Sequence, residues 1–269
     1  LDWSRIKSIF IVAFLILNLN LMFEFYKTYH SSQYDYMSET SIENKLKTDE
    51  IKYEDLPKNI KSDKYLSAEP KKFTKEELEK VKDTILRGQN ITVWNETTIE
   101  SNFQEPIELK EKFDLAEFQS FMKSNVLYTE EYELWELDED KNVITFYQVF
   151  DGKMLYKNPN GELTFFLNDE NELTGYKQTL LENFEEFSEE DNILQPLKAI
   201  ETLYDNGELE FGSKISKVEL GYYTLVHLTS SQVLTPVWRF LVDDEKSLFV
   251  NAIDGQIVQL ENQDKKIVE

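Results

Sequence analysis

Apolar residues follow three rhythms along this chain. From Ile6 to Phe25 they are nearly continuous, interrupted only by Lys7, Ser8, Asn18, Asn20 and Glu24. Residues 30–69 are polar and charged with few hydrophobics, which reads as an extracellular linker or stalk. Past Pro70 the spacing becomes helical in "TKEELEKVKDTILRG", with Thr74 as N-cap, Glu77 closing a capping box and Gly88 as terminator. A second helix is expected from Asp114, with Glu117 three places on, to about Ser124. Alternation then predicts strands at 132–137, 143–150, 153–157, 162–167 and 172–181, joined by "DG" and "NPNG" turns suited to tight hairpins. The order recurs: a helix over 193–207, then strands at about 214–228, 236–242, 247–252 and 256–261.

The late hairpins of the two halves align, "KMLYKNPN-GEL" at 153–163 against "KSLFVNAIDGQI" at 246–257. This pattern predicts a duplicated unit. The expected architecture is α+β: one N-terminal transmembrane helix, then two similar helix-plus-antiparallel-sheet units. The boundaries follow as 1–29 for a cytoplasmic tip and membrane helix, 30–69 for the stalk, 70–182 and 183–262 for the two units, and 263–269 for a tail.

The apolar run is long enough, at ~1.5 Å per residue, to cross a ~30 Å hydrocarbon core. Arg5 and Lys7 precede it, so the positive-inside rule puts the short N-terminus in the cytoplasm and the bulk outside the cell. The residues that follow, "LMFEFYKTYH", offer no small-residue cleavage site, so the run reads as an uncleaved anchor. Asn18 and Asn20 complicate a passive anchor. Successive helical residues turn ~100°, which sets the two amides ~200° apart on nearly opposite faces. Asn18 shares its face with Phe14 and Leu21, and Asn20 shares the other with Leu17. An amide in lipid lacks partners, whereas one facing another helix finds them for ~0.6–2 kcal/mol. Phe14, Leu17, Asn18, Asn20 and Leu21 are therefore the candidate contacts to partner helices. Water defects near the outer leaflet are the competing account of both asparagines.

Charge narrows the partners. The chain has 29 Lys+Arg against 52 Asp+Glu, a net charge of −23, all of it carried beyond residue 29. Such a body repels nucleic acid and anionic headgroups. With no cysteine, neither a disulfide framework nor a thiolate metal site is available. The two histidines, His30 and His227, form no catalytic pattern, and the fingerprints of serine hydrolases, nucleotide binders and zinc proteases are missing. "DEDKN" at 138–142 opens like a calcium loop, but Val143 stands where the glycine belongs, so it reads as a hairpin turn. Trp135 and Trp238 fall on expected strands. No enzyme, cofactor or metal is expected.

The opening "LDWSRIKSIFIVAFLILNLNLMFEFY", with Asp2-Trp3-Ser4-Arg5-Ile6-Lys7 ahead of the apolar run and Asn18, resembles the YycI (WalI) family. The resemblance extends to "TPVWRF" at 235–240 and "NAIDGQI" at 251–257. It implies a membrane-anchored accessory protein of Gram-positive bacteria that associates with the sister protein YycH and the sensor histidine kinase WalK (YycG). It also implies an α+β exported part and a regulatory role for the membrane helix. Two other classes remain open: an extracellular module that binds a wall fragment or peptide, and a wall hydrolase with convergent carboxylates.

Overall fold

The computed structural model describes residues 3, 7, 10, 11, 14–22, 39–58, 60–110, 113–227 and 231–259. By contact the chain divides into Leu1–Lys52 with Glu210–Gly212, and the remainder.

In the first division, residues 14–22 are helical. Helix α1 (Glu39–Thr48) follows, with Ile42 and Leu46 one turn apart and each 1% exposed. Glu50, at a left-handed φ of 56°, closes it, and the Ile51 N–H returns to the Leu46 carbonyl at 2.8 Å. The Gly212 N–H donates to the Asp49 carbonyl at 2.8 Å, tying the 210–212 loop to the end of α1. Among the described residues no helix is long and apolar enough to cross a membrane. The expected membrane helix falls partly outside those residues, as do His30 and the 263–269 tail.

From Tyr53 on, the order is α+β. The elements are β1 (Lys52–Tyr53), β2 (Ser62–Asp63), β3 (Leu66–Pro70), α2 (Lys75–Val81), β4 (Gln89–Trp94), β5 (Thr98–Glu108), α3 (Leu115–Asn125), β6 (Tyr132–Asp138), β7 (Val143–Phe150), β8 (Lys153–Met154), β9 (Glu162–Leu167) and β10 (Glu172–Thr179). Then come β11 (Leu181–Glu186), β12 (Asp191–Asn192), α4 (Pro196–Asp205), β13 (Lys214–His227), β14 (Gln232–Val242), β15 (Lys246–Asn251) and β16 (Ile257–Val258).

The first sheet runs β4-β5-β10-β9-β7-β6, antiparallel throughout, with β8 also on β7. Alternation on β7, β9 and β10 sends Phe146, Phe165 and Tyr176 to one face, where Phe118 of α3 meets Phe165 edge-on at 4.9 Å. Asp114 caps α3 by accepting from the Ala116 and Glu117 N–H groups. In the second sheet β13-β14-β15-β16 form a meander, while β3 takes the start of β14 and carries β11. Trp238 and Phe240 of β14 are fully buried, and the Trp238 indole N–H donates to the Leu194 carbonyl at 2.7 Å, just ahead of α4.

A helix thus precedes a four-strand meander twice, α3 before β6-β7-β9-β10 and α4 before β13-β14-β15-β16. The aligned hairpins share a turn, in which Asn158 and Asn251 accept from nearby backbone N–H groups. They do not share pairing. The Tyr156 N–H leaves the first sheet for the Tyr222 carbonyl, so β9 pairs with β7, whereas β16 pairs with β15.

Other expectations are corrected. The 30–69 stalk is partly folded: α1 lies within it, and Leu66 and Ala68 on β3 alternate into the core. Helix α2 stops at Val81 because the Thr84 and Leu86 N–H groups both turn back to the Val81 carbonyl. Thr74 caps it as expected, but the Glu77 carboxylate accepts from the Tyr128 hydroxyl instead of closing a box. Strands β4 and β5 were not anticipated, and the 172–181 strand breaks at Leu180 into β10 and β11.

Burial, the first cause in every case, raises the phenol pKa of Tyr132, Tyr147, Tyr156, Tyr176 and Tyr222; Glu162 adds to it at Tyr147, Glu219 at Tyr156 and Asp63 at Tyr222. A raised folded pKa gives stability that is complete below the unfolded phenol value of about 10 and is lost as pH rises through the folded value. Absorbance titration should therefore show these five of the 14 tyrosines ionising only as the fold melts in alkali. Early ionisation of all 14, with the fold intact, would contradict this packing.

Candidate functional site

Of the candidate partner contacts, Phe14, Leu17 and Leu21 are 65%, 54% and 59% exposed on the 14–22 helix. That exposure is large for apolar residues on one element. The Asn18 amide donates to its own helix's Phe14 carbonyl at 2.7 Å, so its donor is satisfied within the helix and its carbonyl remains available. The Asn20 side chain makes no hydrogen bond to a described residue and is exposed. Lys7 is exposed, its ammonium 5.5 Å from the Trp3 ring centroid. Arg5 lies outside the described residues.

The body offers different chemistry. Trp135 stands between two clefts of about 480 and 790 Å³. The Arg239 guanidinium lies over its ring at 4.2 Å and is fixed by Glu219 at 3.2 Å and the Ser247 hydroxyl at 3.0 Å. The smaller cleft covers the outer face of the first sheet, where Thr145, Thr164 and Lys177 sit side by side across β7, β9 and β10. Tyr147 and Glu162 line it as well. Among the described residues no group of three or more His, Asp or Glu could hold a metal. "DEDKN" is a turn in which Asp138 accepts from the Lys141 N–H at 3.0 Å, a bond that holds its carboxyl below the usual range. His227 ends β13, and its side chain is not described.

A second constellation joins the sheets. Asp63 is 5% exposed, and one of its oxygens accepts from the Tyr222 hydroxyl and the Lys64 N–H, both at 2.9 Å. The Lys153 ammonium reaches the other oxygen at 2.8 Å. Every carboxylate oxygen thus has a donor, so the group is held as structure. Beside it a Cβ on Gly221 would lie 2.3 Å from the Tyr156 ring and 2.6 Å from the Met154 carbonyl. Sequence reasoning passed over Asp63, Lys153 and Tyr222, which are far apart in the chain. A lone glycine inside the apolar strand 214–227 was the available signal of a close approach.

Residues 31–253 match the family described as "YycI protein". The chain belongs to the YycI family. It is the family of WalK/YycG regulatory proteins and is not known as an enzyme family. No curated protein matches this YycI-family chain. Solved structures similar to it include the following three. An uncharacterized protein from Eubacterium rectale ATCC 33656 is 12% identical, with a TM-score of 0.47, covering 79% of this chain and 92% of that one. YycH from Bacillus subtilis is 14% identical, with a TM-score of 0.42 and 76% of this chain covered; the match takes in 52% of that YycH, about half its length. The Bacillus megaterium YpeB C-terminal domain is 13% identical, with a TM-score of 0.39, covering 84% of this chain and 99% of that one.

Lys153→Met keeps the stem but leaves a buried carboxylate oxygen without its cation. It should lower stability by about 2–3 kcal/mol, somewhat below a fully enclosed pair because Lys153 is partly exposed. Gly221→Ala should cost at least as much through overpacking. Urea unfolding of the full chain measures both, and a shift within error for either would show that the sheets do not depend on this contact.

Proposed function

We propose that this chain is a non-catalytic accessory regulator of the WalK sensor kinase, anchored by one membrane-spanning helix, with its N-terminus in the cytoplasm and its body outside the cell. The observation that carries the reading is the family match over residues 31–253. The exposed apolar helix at 14–22 supports the anchor and supplies the working surface. In this reading the helix packs against helices of WalK and YycH, with the Asn18 face toward one partner and the Asn20 face toward the other. The two helix-plus-meander units form the extracellular carrier.

The helix regulates only if it packs differently against the two signalling states of the kinase, since equal affinity for both shifts nothing. In lipid, apolar burial gives no preference for a protein neighbour over an acyl chain. Packing and amide hydrogen bonds must therefore supply the selectivity.

The absence of native cysteine makes site-directed crosslinking unambiguous. Single cysteines at 14, 17, 18, 20 and 21 in native membranes should crosslink WalK from one face and YycH from the other. Asn18→Leu and Asn20→Leu should each weaken a different association by ~1 kcal/mol, about fivefold. Replacing residues 6–25 with an unrelated apolar helix should keep the protein in the membrane and remove regulation.

The second reading, a module that binds a wall fragment or peptide, draws on the Trp135 clefts, which combine an aromatic wall with threonine, lysine and glutamate side chains. It would displace the first if regulation survived helix replacement and was lost in Trp135→Ala.

A further inference from the structure

Helices α2 and α3 cover one face of the first sheet, where Leu78, Val81, Phe118 and Met122 join Phe146 and Phe165 in a single cluster. The opposite face carries the cleft of about 480 Å³, a size that suits a small ligand. Trp135 reaches this cleft through a bulge. Leu134 pairs with Phe146 and Glu136 with Thr145, which leaves Trp135 as the extra residue between them. Bulges of this kind re-aim a side chain beside functional sites. The indole is then fixed in place. The Arg239 guanidinium covers part of it, Tyr147 meets it edge-on at 5.7 Å, and its N–H donates to Glu136 at 3.1 Å. Trp135, Glu136 and Lys157 line both clefts, so the two meet at this ring. A ligand that fills both must be elongated.

The chemistry of the cleft narrows the ligand. β7, β9 and β10 are each paired on both sides, so their backbone groups turn to neighbouring strands and only side chains face outward. A peptide, which is recognised largely through its backbone, finds no strand edge here. Lys141, Lys157 and Lys177 stand against Glu136, Asp138 and Glu162, a local balance in a chain of net charge −23. That balance favours neither an anion nor a cation. Hydrogen-bonding capacity remains in both senses. Lys157, Lys177 and the Thr145 hydroxyl make no side-chain hydrogen bond to a described residue. Glu136 gives one oxygen to the Trp135 indole and Glu162 one to the Thr164 hydroxyl, which leaves acceptor positions on both carboxylates. A compound rich in hydroxyls donates and accepts, and so uses both sets.

We propose that this face binds an uncharged linear saccharide, which crosses Trp135 from one cleft to the other. A pyranose ring packs its C–H face against the part of the indole that Arg239 leaves uncovered. Its hydroxyls accept from Lys157, Lys177 and Thr145 and donate to Glu136 and Glu162. A few placed polar groups around one aromatic ring set orientation, while the ring supplies contact area. Because the indole is already held on three sides, little freedom is lost when the sugar arrives. The proposal rests on the second reading above, for which it names the class of ligand. It asks nothing of the 14–22 helix.

The test uses the full-length chain in phospholipid nanodiscs, because sugar-headed detergents would compete. Tetra-N-acetylchitotetraose is the saccharide probe, and the peptide Ala-Glu-Lys-Ala, which carries both signs of charge, is the comparison. Calorimetric titration and the indole N–H resonances of the four tryptophans report binding. The saccharide should bind at millimolar concentration or below and shift the Trp135 signal, with the buried Trp238 unmoved, and the peptide should do neither. Trp135→Ala should abolish binding. Lys177→Met changes an exposed side chain outside the core and should weaken the saccharide about tenfold with the fold intact, as loss of a charged donor does. Peptide binding at Trp135 without saccharide binding, or equal binding of the two, would overturn the saccharide and leave the second reading standing. No response of Trp135 to either probe would overturn both. Saccharide binding unchanged by Trp135→Ala and Lys177→Met would place the site elsewhere and overturn the proposal.

Discussion

The body depends on one close approach, that of the segment after β8 to β13 at Gly221. Leu155 still gives its N–H to Gln148 of β7, but the next residue leaves the first sheet, because Tyr156 gives its N–H to Tyr222 across the divide. The Tyr156 ring then needs the space that only glycine leaves at 221. Polar groups on either side are arranged around that contact. Asp63, Lys153 and Tyr222 close one end, while at the other the Asn158 amide donates to Thr224 and Gln232 at 2.7 and 2.8 Å. Gln148 makes both its amide bonds to the Leu181 backbone at 2.8 Å, joining β7 to β11. Because these groups are buried, leaving any one unpaired costs more than the bond itself contributes. The sheets are therefore committed to one arrangement.

That commitment bears on how the protein works. A body whose sheets hold one relative position keeps the clefts beside Trp135 in a fixed place. The buried hydrogen bonds at the seam oppose motion of one sheet against the other. This fits the carrier role proposed for the body, in which selectivity is left to surfaces that meet partners directly. On the 14–22 helix that surface is apolar with two amides.

Much of the fold was legible in the chain because its signals are local. The bounds of β6, β7 and β9 follow from alternation, and the turn from β7 to β8 from Asp151-Gly152, whose left-handed φ values of 50° and 70° suit a tight hairpin. Asp114 announced α3 through its own cap. What was missed is non-local or ambiguous. β3 is five residues inside a polar stretch, and only its pairing with β11 and β14 makes it a strand. β4 and β5 are rich in Asn, Gln, Thr and Glu, with an alternation too sparse to stand out. The helical surface at 14–22 was readable from its polarity alone, whereas the seam residues were not, since Asp63 and Tyr222 meet across 159 positions. The Asn18 bond to Phe14 also shows what polarity cannot reveal: an amide in a helix satisfies part of its need without a neighbour.

The central claim is that the two sheets behave as one cooperative body. Native-state hydrogen exchange of the full chain across a urea series tests it most directly, by comparing amides in the middle of β10 with those in the middle of β14. Both sets should open with the same free energy and the same urea dependence, as one global event. Opening of β4 through β10 at a lower free energy, with β13 through β16 still protected, would contradict the claim.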